Sequence, residues 1–378
     1  MYVHIIGAGL IGGSIALGLS RAGLKVSASD ISPAAQRLSK LGDISIGPPN
    51  QNPDLVFVCT PPDVTAAEVV SSLDRFPETC VVDVSSVKTR IYREVLRKTH
   101  PAKRVFYIQS HPMAGREIGG IQGASADLFS GWPWIVCHSF VCGDGNDQMN
   151  GENSVHQKNY LTRNTEDEAE WSLGKNLLHC INLLGAFPVF MHRDRHDRSV
   201  AAVSHVPHIL SSLIALSLAN TDQGTVAICG SGIKDMTRLA ASNPELWTQI
   251  IFSNRREILQ SLGVFSGLLK RMLHTLEKLD NPAYRTDLFS QLAEAQAQQA
   301  RIPKKPGKNL DYSQLEVLIP DKPGELSKVL GAINTQGINL EDLHFEHANN
   351  LGVVKLSVSN KDRCRLMDTL EDKWTLLV

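Results

Sequence analysis

The sequence predicts an α/β protein in three parts: a doubly wound parallel sheet, an all-helical region, and a small C-terminal module of strands and helices. Three observations support this prediction. Apolar runs typical of strands alternate with helical stretches from residue 2 to residue 137. Strand patterns then disappear between about residues 169 and 300, where almost every segment has helical periodicity. They return near the C-terminus, and the 378 residues are enough for two or three domains.

The predicted sheet begins at the N-terminus. Residues 2–6, YVHII, form an apolar run that leads into GAGLIGGSIALGLSRAG, in which small and apolar residues recur at helical spacing until Gly23. This is the pattern of a strand, a tight turn and a helix. Further strands are predicted at residues 25–30, 54–61, 80–86, 104–112 and 132–137, separated by helical stretches such as 63–75 and 88–99. Strands that alternate with helices favour a parallel sheet.

A polar segment interrupts this pattern at the end of the first predicted domain, residues 1–165. Residues 139–168 are rich in Asn, Asp and Gly and have no hydrophobic period, which predicts an insertion at the domain boundary. The second domain, residues 166–300, is predicted to be all-helical. Its most apolar helix, residues 202–219, is apolar on nearly all sides and must be buried. We therefore expect a second subunit to pack on this domain and form a homodimer.

The C-terminal part follows a predicted linker. Residues 301–312, RIPKKPGKNLDY, contain two prolines, a glycine and four basic residues, which is the composition of an exposed connection. Residues 313–378 then show the order strand, helix, strand, strand, helix, strand. This order predicts a ferredoxin-like module.

Composition and charge exclude several classes of function. The 38 basic and 39 acidic residues produce no field that would hold nucleic acid or an anionic membrane. The sequence shows neither an apolar stretch typical of a membrane span nor a signal peptide, so we expect a cytoplasmic protein. The seven cysteines are scattered and never spaced C-x-x-C, so neither a disulfide framework nor a metal site is predicted. The expected partner is a small molecule.

A dinucleotide-binding fingerprint follows the first strand. The glycines of G-x-G-x-x-G permit the turn, the approach of a pyrophosphate and close helix packing, and the helix N-terminus faces the phosphates. Asp30, at the end of the second strand, is placed to accept hydrogen bonds from the ribose hydroxyls. It also repels a 2′-phosphate, so NAD is favoured over NADP. The predicted cofactor-binding residues of this Rossmann-type domain are Gly7, Gly9, Leu10, Ile11, Gly12, Asp30, Thr60 and Pro61.

Candidate catalytic residues follow the next strands of the sheet. Ser85, Ser86 and Lys88 come after the fourth predicted strand, and His111 ends the fifth in SHPMAG. Ligands bind at the carboxyl ends of the strands in such sheets. A histidine there can take the proton of a substrate hydroxyl while hydride leaves the same carbon for the nicotinamide, and a serine can orient that hydroxyl.

Several motifs extend this interpretation to nearly the whole chain outside residues 139–168. They are, in chain order, GAGLIGGSIALGL, DVSSVK, SHPMAGRE, SHVPH, GIKDMTRLAASNPELW and DKPGEL. In these motifs the sequence resembles the prephenate and arogenate dehydrogenases of tyrosine biosynthesis that carry a C-terminal ACT domain. The resemblance implies a dimer formed through the helical domain. It also implies NAD(P)-dependent oxidative decarboxylation of a cyclohexadienol acid to an aromatic ring.

The resemblance also assigns site residues. His111 matches the base that acts on the ring hydroxyl, and Ser86 matches the serine that hydrogen-bonds this hydroxyl beside the nicotinamide. Glu117 matches a gating carboxylate, although the neighbouring Arg116 departs from the small polar residue of some relatives. Arg238 matches the residue that binds the ring carboxylate, which suits the planar fork of arginine. The remaining substrate-binding candidates are His208, Lys234, Ser242 and Trp247.

The C-terminal module has a candidate ligand site of its own. DKPGEL places Pro323 and Gly324 in a loop between a strand and a helix, where backbone amides can bind the carboxylate of an amino acid. Asn339 and Leu340 of GINLEDL open the next strand. The resemblance to ACT domains implies tyrosine, or phenylalanine, as a regulatory ligand. A purely structural or dimerising module is the alternative.

The leading functional hypothesis is an NAD-dependent prephenate dehydrogenase. Arogenate dehydrogenase is the nearest alternative, because the two substrates differ only in a keto or an amino group on the side chain. A β-hydroxyacid dehydrogenase would share the overall plan but would use a lysine of the helical domain in place of SHPMAG. A regulatory protein that binds NAD and an amino acid without catalysis is the most distant alternative, and the joint presence of Ser86, His111 and Arg238 argues against it.

Overall fold

The computed structural model describes residues 1–116, 119–137, 168–303, 312–348 and 351–377. The chain divides into two compact units, Met1–Leu288 and Phe289–Val378. The described strands are β1 Tyr2–Ile6, β2 Lys25–Ser29, β3 Ile44–Ile46, β4 Leu55–Val58, β5 Cys80–Asp83, β6 Tyr107–Pro112, β7 Pro133–Cys137, β8 Phe187–Phe190, β9 Tyr312–Pro320, β10 Leu340–Ala348, β11 Leu351–Ser359 and β12 Thr375–Leu377. The described helices are α1 Leu10–Arg21, α2 Leu38–Leu41, α3 Pro62–Arg75, α4 Thr89–Lys98, α5 Glu168–Leu183, α6 Arg193–Val200, α7 Val206–Ser217, α8 Gln223–Ala227, α9 Ser231–Thr237, α10 Pro244–Ser253, α11 Arg255–Glu277, α12 Pro282–Gln299, α13 Glu325–Thr335 and α14 Arg363–Leu370.

The first unit is built on an eight-stranded sheet in the order β3-β2-β1-β4-β5-β6-β7-β8. Strands β1 to β6 are mutually parallel, as the sequence predicts. Strand β7 runs antiparallel to β6, and β8 pairs in parallel with β7, so this edge of the sheet is reversed. The prediction of a wholly parallel sheet is therefore wrong at β7, since the apolar pattern of a strand carries no information on its direction.

Two strands differ from the sequence prediction. The three-residue β3 is too short to produce an alternating pattern, and its presence makes the strand that ends in SHPMAG the sixth in the chain. The strand β8 lies inside the region predicted to be all-helical and extends the sheet of the first domain. The prediction that no strand follows residue 169 is therefore wrong, and the helical region begins at α6.

Apolar side chains cover both faces of this sheet. On one face the core includes Ile15 and Leu19 of α1 with Leu177 and Ile181 of α5. The core of the opposite face includes side chains of α3, α4 and α10, such as Ile91. Helices on both faces bury the central strands of the sheet, while β3 and β8 stay partly exposed, which is the doubly wound arrangement that the sequence predicts.

The helical region begins with a long continuous run, Arg193–Asn220. It consists of α6, a π-helical segment Ala201–His205, α7 and a short 3₁₀ turn. By length and composition alone this is the one described helix that could cross a membrane, and 33% of its most apolar window is buried inside the chain. It also carries the buried polar side chains His196, Asp197 and His205, so we interpret it as a core helix of the domain with an exposed apolar outer face.

The second unit contains a separate four-stranded antiparallel sheet in the order β10-β11-β9-β12. Its elements follow the predicted order strand, helix, strand, strand, helix, strand. The core between the sheet and its helices includes Val317 and Leu356 of the strands, Val329 of α13 and Leu366 of α14. The predicted linker lies mostly outside the described residues, as do most of residues 139–168.

Candidate active site

The turn after β1 has the geometry of a phosphate-binding loop. Gly7 has a φ of +93°, and its backbone N–H donates to the carbonyl of Ser29 at 2.8 Å. A Cβ atom at Gly12 would lie 1.9 Å from the carbonyl oxygen of Gly7, so only glycine allows this close packing. A Cβ atom at Gly9 would meet no atom within 4 Å, which leaves open space before the first turn of α1. These residues fit a dinucleotide pyrophosphate.

The carboxylate of Asp30 is held beside this turn. Its Oδ2 accepts the backbone N–H of Ala8 at 2.6 Å, and its Oδ1 accepts the backbone N–H of Ser32 at 2.7 Å. These bonds fix the carboxylate at the end of β2. Thr60 and Pro61 lie at the corresponding end of β4, where the hydroxyl of Thr65 donates to the carbonyl of Pro61 at 2.9 Å. The predicted cofactor residues therefore gather at one edge of the sheet.

A buried ion pair joins the ends of β5 and β6. The ammonium of Lys88, fully buried, contacts Asp83 and donates to the carbonyl of Ser110 at 2.6 Å. The hydroxyl of Tyr107 donates to the second oxygen of Asp83 at 2.7 Å, and the hydroxyl of Ser110 donates to the Asp83 carbonyl at 3.0 Å. Both charges are therefore paired, and the network fixes the loop that carries Ser86 against the strand that carries His111.

His111 contacts a second buried histidine. Its Nδ1 lies 2.9 Å from Nε2 of His196, a residue of α6, and the two rings are arranged edge to face. Nδ1 of His196 lies 2.8 Å from Oδ1 of Asp197. Asp197 also accepts the backbone N–H groups of Lys88 and Thr89, at 2.9 and 2.8 Å. These bonds place α6 directly against the candidate base.

Burial and neighbouring cations keep these histidines neutral. The pKa of His111 lies well below its ordinary value because the ring is desolvated and faces His196, Lys88 and His205. Burial also lowers the pKa of His196, although Asp197 opposes that shift. Burial alone would raise the pKa of Asp197, but the hydrogen bonds from His196 and Thr89 outweigh it and lower the pKa. A neutral imidazole can accept a proton, so this protonation state suits a general base.

The contacts continue from Asp197 into the helical region. The side-chain amide of Asn254 donates to the Asp197 carbonyl at 2.8 Å and lies 3.1 Å from Nδ1 of His205. The ring of Trp247 is edge-on to His205. It stacks on the ring of His208, with 3.5 Å between the Trp247 and His208 ring centroids. A chain of side-chain contacts thus joins the sheet edge to the predicted substrate residues.

The structure leaves some predicted residues apart from this network. Lys234 in α9 and Arg238 in the following 3₁₀ turn have exposed side chains, and Ser242 ends that turn. The turn is attached to α7, since the backbone N–H of Ala240 donates to Oγ of Ser211 at 3.2 Å. Ser86 is partly exposed beyond β5. Glu117 lies outside the described residues.

Two polar atoms of the site lack an internal partner. Among the described residues, Nδ1 of His208 and Oγ of Ser85 are buried without a hydrogen bond. Buried polar atoms are usually bonded, so an unpaired one at a site indicates a group that binds ligand or water. The unpaired Nδ1 belongs to the His208 ring that stacks on Trp247, so a bound ligand or a water is the group left to pair with it.

Sequence reasoning missed four members of the network: His196, Asp197, Asp83 and Asn254. The pair His196–Asp197 lies in RDRHDRSV, which has the composition of an exposed charged helix. The sequence does hold one hint that the pair belongs to the site. His196 and Asp197 lie one helical turn or more before the apolar run that carries His205 and His208, so all four can lie on one helix. That spacing does not show which strand end the pair would meet.

Comparison with known proteins now identifies the family. The model of the prephenate dehydrogenase nucleotide-binding domain matches residues 15–151, and that of the prephenate dehydrogenase dimerization domain matches residues 192–294. The chain belongs to the prephenate dehydrogenase family. Its nucleotide-binding part corresponds to the predicted Rossmann-type domain, and its dimerization part begins where α6 begins.

Curated relatives and solved structures agree with this family. A probable prephenate dehydrogenase, NovF, of Streptomyces niveus is 27% identical over 98% of both chains. The prephenate dehydrogenase of Bacillus subtilis is 25% identical over 98% of this chain and 95% of its own. Among solved structures, a prephenate dehydrogenase of Aquifex aeolicus in complex with hydroxyphenyl propionate and NAD⁺ has a TM-score of 0.63 at 22% identity, covering 80% of this chain and 98% of its own. This structural likeness shows a shared fold.

Proposed function

We propose that the protein is an NAD-dependent prephenate dehydrogenase, which converts prephenate to 4-hydroxyphenylpyruvate and carbon dioxide. The observation that carries this proposal is the buried neutral His111 at the carboxyl edge of a dinucleotide-binding sheet, with His208 and Trp247 linked to it through a continuous set of contacts. Family membership and two relatives that bear the name prephenate dehydrogenase support the assignment.

NAD is the proposed cofactor. When bound, it accepts a hydride from the ring carbon that bears the hydroxyl. Gly7, Gly9 and Gly12 would hold its pyrophosphate, and the carboxylate of Asp30 would bind the adenosine ribose, where a 2′-phosphate would be repelled. Leu10, Ile11, Thr60 and Pro61 complete the proposed site. The Aquifex aeolicus relative described with NAD⁺ supports this assignment.

The proposed base is His111, with Ser86 as the residue that orients the ring hydroxyl. His111 takes the hydroxyl proton as the carbon is oxidised to a carbonyl. That carbonyl is conjugated to the carbon that bears the ring carboxylate and serves as the electron sink when the bond to carbon dioxide breaks. His111 then returns the proton to the phenolate oxygen. The proton is borrowed and returned, and gain of aromaticity drives the sequence.

The two carboxylates of prephenate require local cations in a chain of formal net charge −1. We assign Arg238 to the ring carboxylate and Lys234, Ser242, His208 and Trp247 to the rest of the substrate pocket. Glu117 retains its assignment as a gating carboxylate on the resemblance alone.

A second copy of the chain is the proposed partner of the helical region. Leu213 and Leu216 of α7 and Leu268 and Leu269 of α11 are exposed, which is unusual for so many large apolar side chains on one pair of helices. The family's description of residues 192–294 as a dimerization domain supports a homodimer. Covering this surface would also bury the apolar run Arg193–Asn220 without a membrane, which is consistent with a cytoplasmic protein.

The C-terminal unit is a proposed ACT domain. Gly324 has a φ of +91° and precedes α13, while Asn339 and Leu340 lie at the start of β10. We propose that backbone groups near Pro323 and Gly324 bind the carboxylate of tyrosine or phenylalanine. The predicted domain bounds, 1–165, 166–300 and 313–378, remain proposals, with the first helix of the second domain moved to α6.

The test is NADH formation by the purified protein with prephenate and, in parallel, with arogenate, each with NAD and with NADP. Turnover of prephenate with NAD is the expected result. Turnover of arogenate alone would identify the alternative substrate, and activity restricted to NADP would contradict the role of Asp30. No turnover of either compound would reject the proposed activity in favour of a regulatory protein or a β-hydroxyacid dehydrogenase. Tyrosine and phenylalanine added to the active mixture test the ACT assignment.

A further inference from the structure

We propose that His196 and Asp197 form a positioning relay that holds His111 in the tautomer required of the base. The proposal rests on the function proposed above, because His111 is the base of that reaction. It concerns two residues that lie 85 and 86 positions further along the chain than His111, on a different element.

The Asp197 carboxylate at the end of the relay fixes the direction of both hydrogen bonds. An ionised carboxylate can only accept, so the 2.8 Å contact requires Nδ1 of His196 to carry the hydrogen. In a neutral ring Nε2 is then a lone pair, and the 2.9 Å contact requires Nδ1–H of His111 to donate to it. Nε2 of His111 is thereby the unprotonated nitrogen, the one that can accept the substrate proton. An orienting carboxylate fixes a catalytic imidazole in the same way in other enzymes.

Asp197 is itself rigidly held. It accepts the backbone N–H groups of Lys88 and Thr89 at the N-terminus of α4, and its own backbone carbonyl accepts the amide of Asn254. The loop that carries Ser86 leads directly into those two N–H groups. One carboxylate therefore sets the position of both the proposed base and the loop of the serine that orients the hydroxyl.

The relay also matters when His111 becomes charged. The charged or titratable groups that face the two rings are Lys88, His205, Asp83 and Asp197. The Lys88 ammonium is paired with Asp83, whereas Asp197 is paired with His196 and stabilises positive charge along the relay. Removal of the Asp197 charge should therefore make His111 harder to protonate.

The experiment uses the full-length protein with four variants. His196→Phe keeps a ring but removes the acceptor, and kcat should fall about 10- to 100-fold with KM values for substrate and NAD changed less than about threefold. His196→Gln offers a carbonyl acceptor and should recover most of that loss. Asp197→Asn should lower kcat/KM and move its acidic limb to lower pH, because the imidazolium loses its counter-charge. His4→Phe, which removes another buried imidazole on β1, is the matched control and should leave kcat unchanged.

A second readout is independent of turnover. ¹⁵N NMR of the imidazoles should show His111 as the Nδ1–H tautomer in the wild-type protein and a mixture of tautomers in His196→Phe. An unchanged tautomer in that variant would overturn the relay, as would equal kcat losses in His196→Phe and His196→Gln or an unmoved acidic limb in Asp197→Asn. If neither prephenate nor arogenate is turned over, the proposed function fails while the NMR measurement still decides the relay. Thermal unfolding of each variant confirms that it is folded.

Discussion

The carboxyl end of the sheet around His111, called the sheet edge here, and the outer face of the helical region differ in how many of their side chains find partners within one chain. At the sheet edge, Lys88, Asp83, His196 and Asp197 are buried and each is bonded to another described group. On the outer face of α7 and α11, large apolar side chains such as Leu268 are exposed. In the first region the charged groups find their partners within the chain, whereas in the second the apolar side chains stay exposed in the single chain.

This difference predicts which substitutions should destabilise the folded chain. In the sheet edge, loss of one partner leaves a buried group without its bond, and the cost of a desolvated charge is large. A substitution of an exposed side chain such as Leu268 breaks no buried hydrogen bond, so the folded chain should stay intact. The following predictions test that division, from the largest expected effect to the smallest.

The largest effect is expected at the base. His111→Asn should lower kcat by about 10²- to 10⁴-fold, since one proton-transfer catalyst commonly contributes that much. NAD and substrate binding should stay near wild type, because the dinucleotide turn and the Trp247 stack do not involve this ring. Steady-state kinetics with a fluorescence titration of NAD measure both. Near-normal turnover would contradict the assignment of the base.

Breaking the buried ion pair should destabilise the fold. Lys88→Met leaves Asp83 buried with only neutral partners, so the free energy of unfolding should fall by roughly 3–5 kcal/mol. Lys98→Met is the matched control, because it breaks the exposed pair of Lys98 with Glu94 and should cost at most about 0.5 kcal/mol. Urea denaturation of both variants makes the comparison. Similar losses in the two variants would show that burial adds nothing to the Lys88 pair.

Acid should destabilise the same region. Burial lowers the pKa of His205 from 6.5 to about 4, so this ring takes up its proton at a lower pH in the folded state than in the unfolded state. The stabilisation is complete above pH 6.5 and is lost as the pH falls from 6.5 to about 4, by about 1.4 kcal/mol per unit for this one group. Denaturation curves across that range should show the slope, and His205→Gln should reduce it. An unchanged slope would place the acid sensitivity in the other buried histidines.

Disruption of the exposed face should change association without unfolding. Leu268→Glu places a charge on the apolar surface and should weaken the proposed dimer by at least about tenfold, since a buried leucine contributes about 1.5–3 kcal/mol. Sedimentation velocity measures the dimer, and circular dichroism should show an unchanged fold. Lys270→Glu on the same helix serves as the polar control. A dimer that tolerates Leu268→Glu would indicate a different interface.

The most local effect is expected at Arg238, where only substrate binding should change. Arg238→Gln should raise the KM for substrate by roughly 10- to 100-fold, which is the range for loss of a charged hydrogen bond, while NAD binding is unchanged. Parallel titrations with NAD and with a non-reactive substrate analogue separate the two. Equal weakening of both ligands would indicate misfolding instead of a substrate contact.

Much of the site could be predicted from short stretches of sequence. The glycine turn, Asp30 and His111 each lie at the end of a strand whose apolar pattern is visible in the sequence, and parallel strands bring their carboxyl ends to one edge. His196, Asp197 and Asn254 could not be predicted in the same way. His196 contacts His111 across 85 residues of sequence, and Asn254 contacts Asp197 across 57. RDRHDRSV by itself is indistinguishable from a solvent-exposed helix.

The sequence by itself therefore determined the α/β class, the phosphate-binding turn, the placement of His111 and the order of elements in the C-terminal module. These depend on hydrophobic periods and on glycine backbone freedom, which are local properties. The tertiary structure alone decided the reversed edge strands β7 and β8, the pairing of Lys88 with Asp83, and the contact of α6 with His111. These depend on which faces pack together, because packing of α6 against the sheet takes His196 and Asp197 out of water and joins them to a buried polar network, while Asp194, Arg195 and Arg198 of the same helix stay exposed.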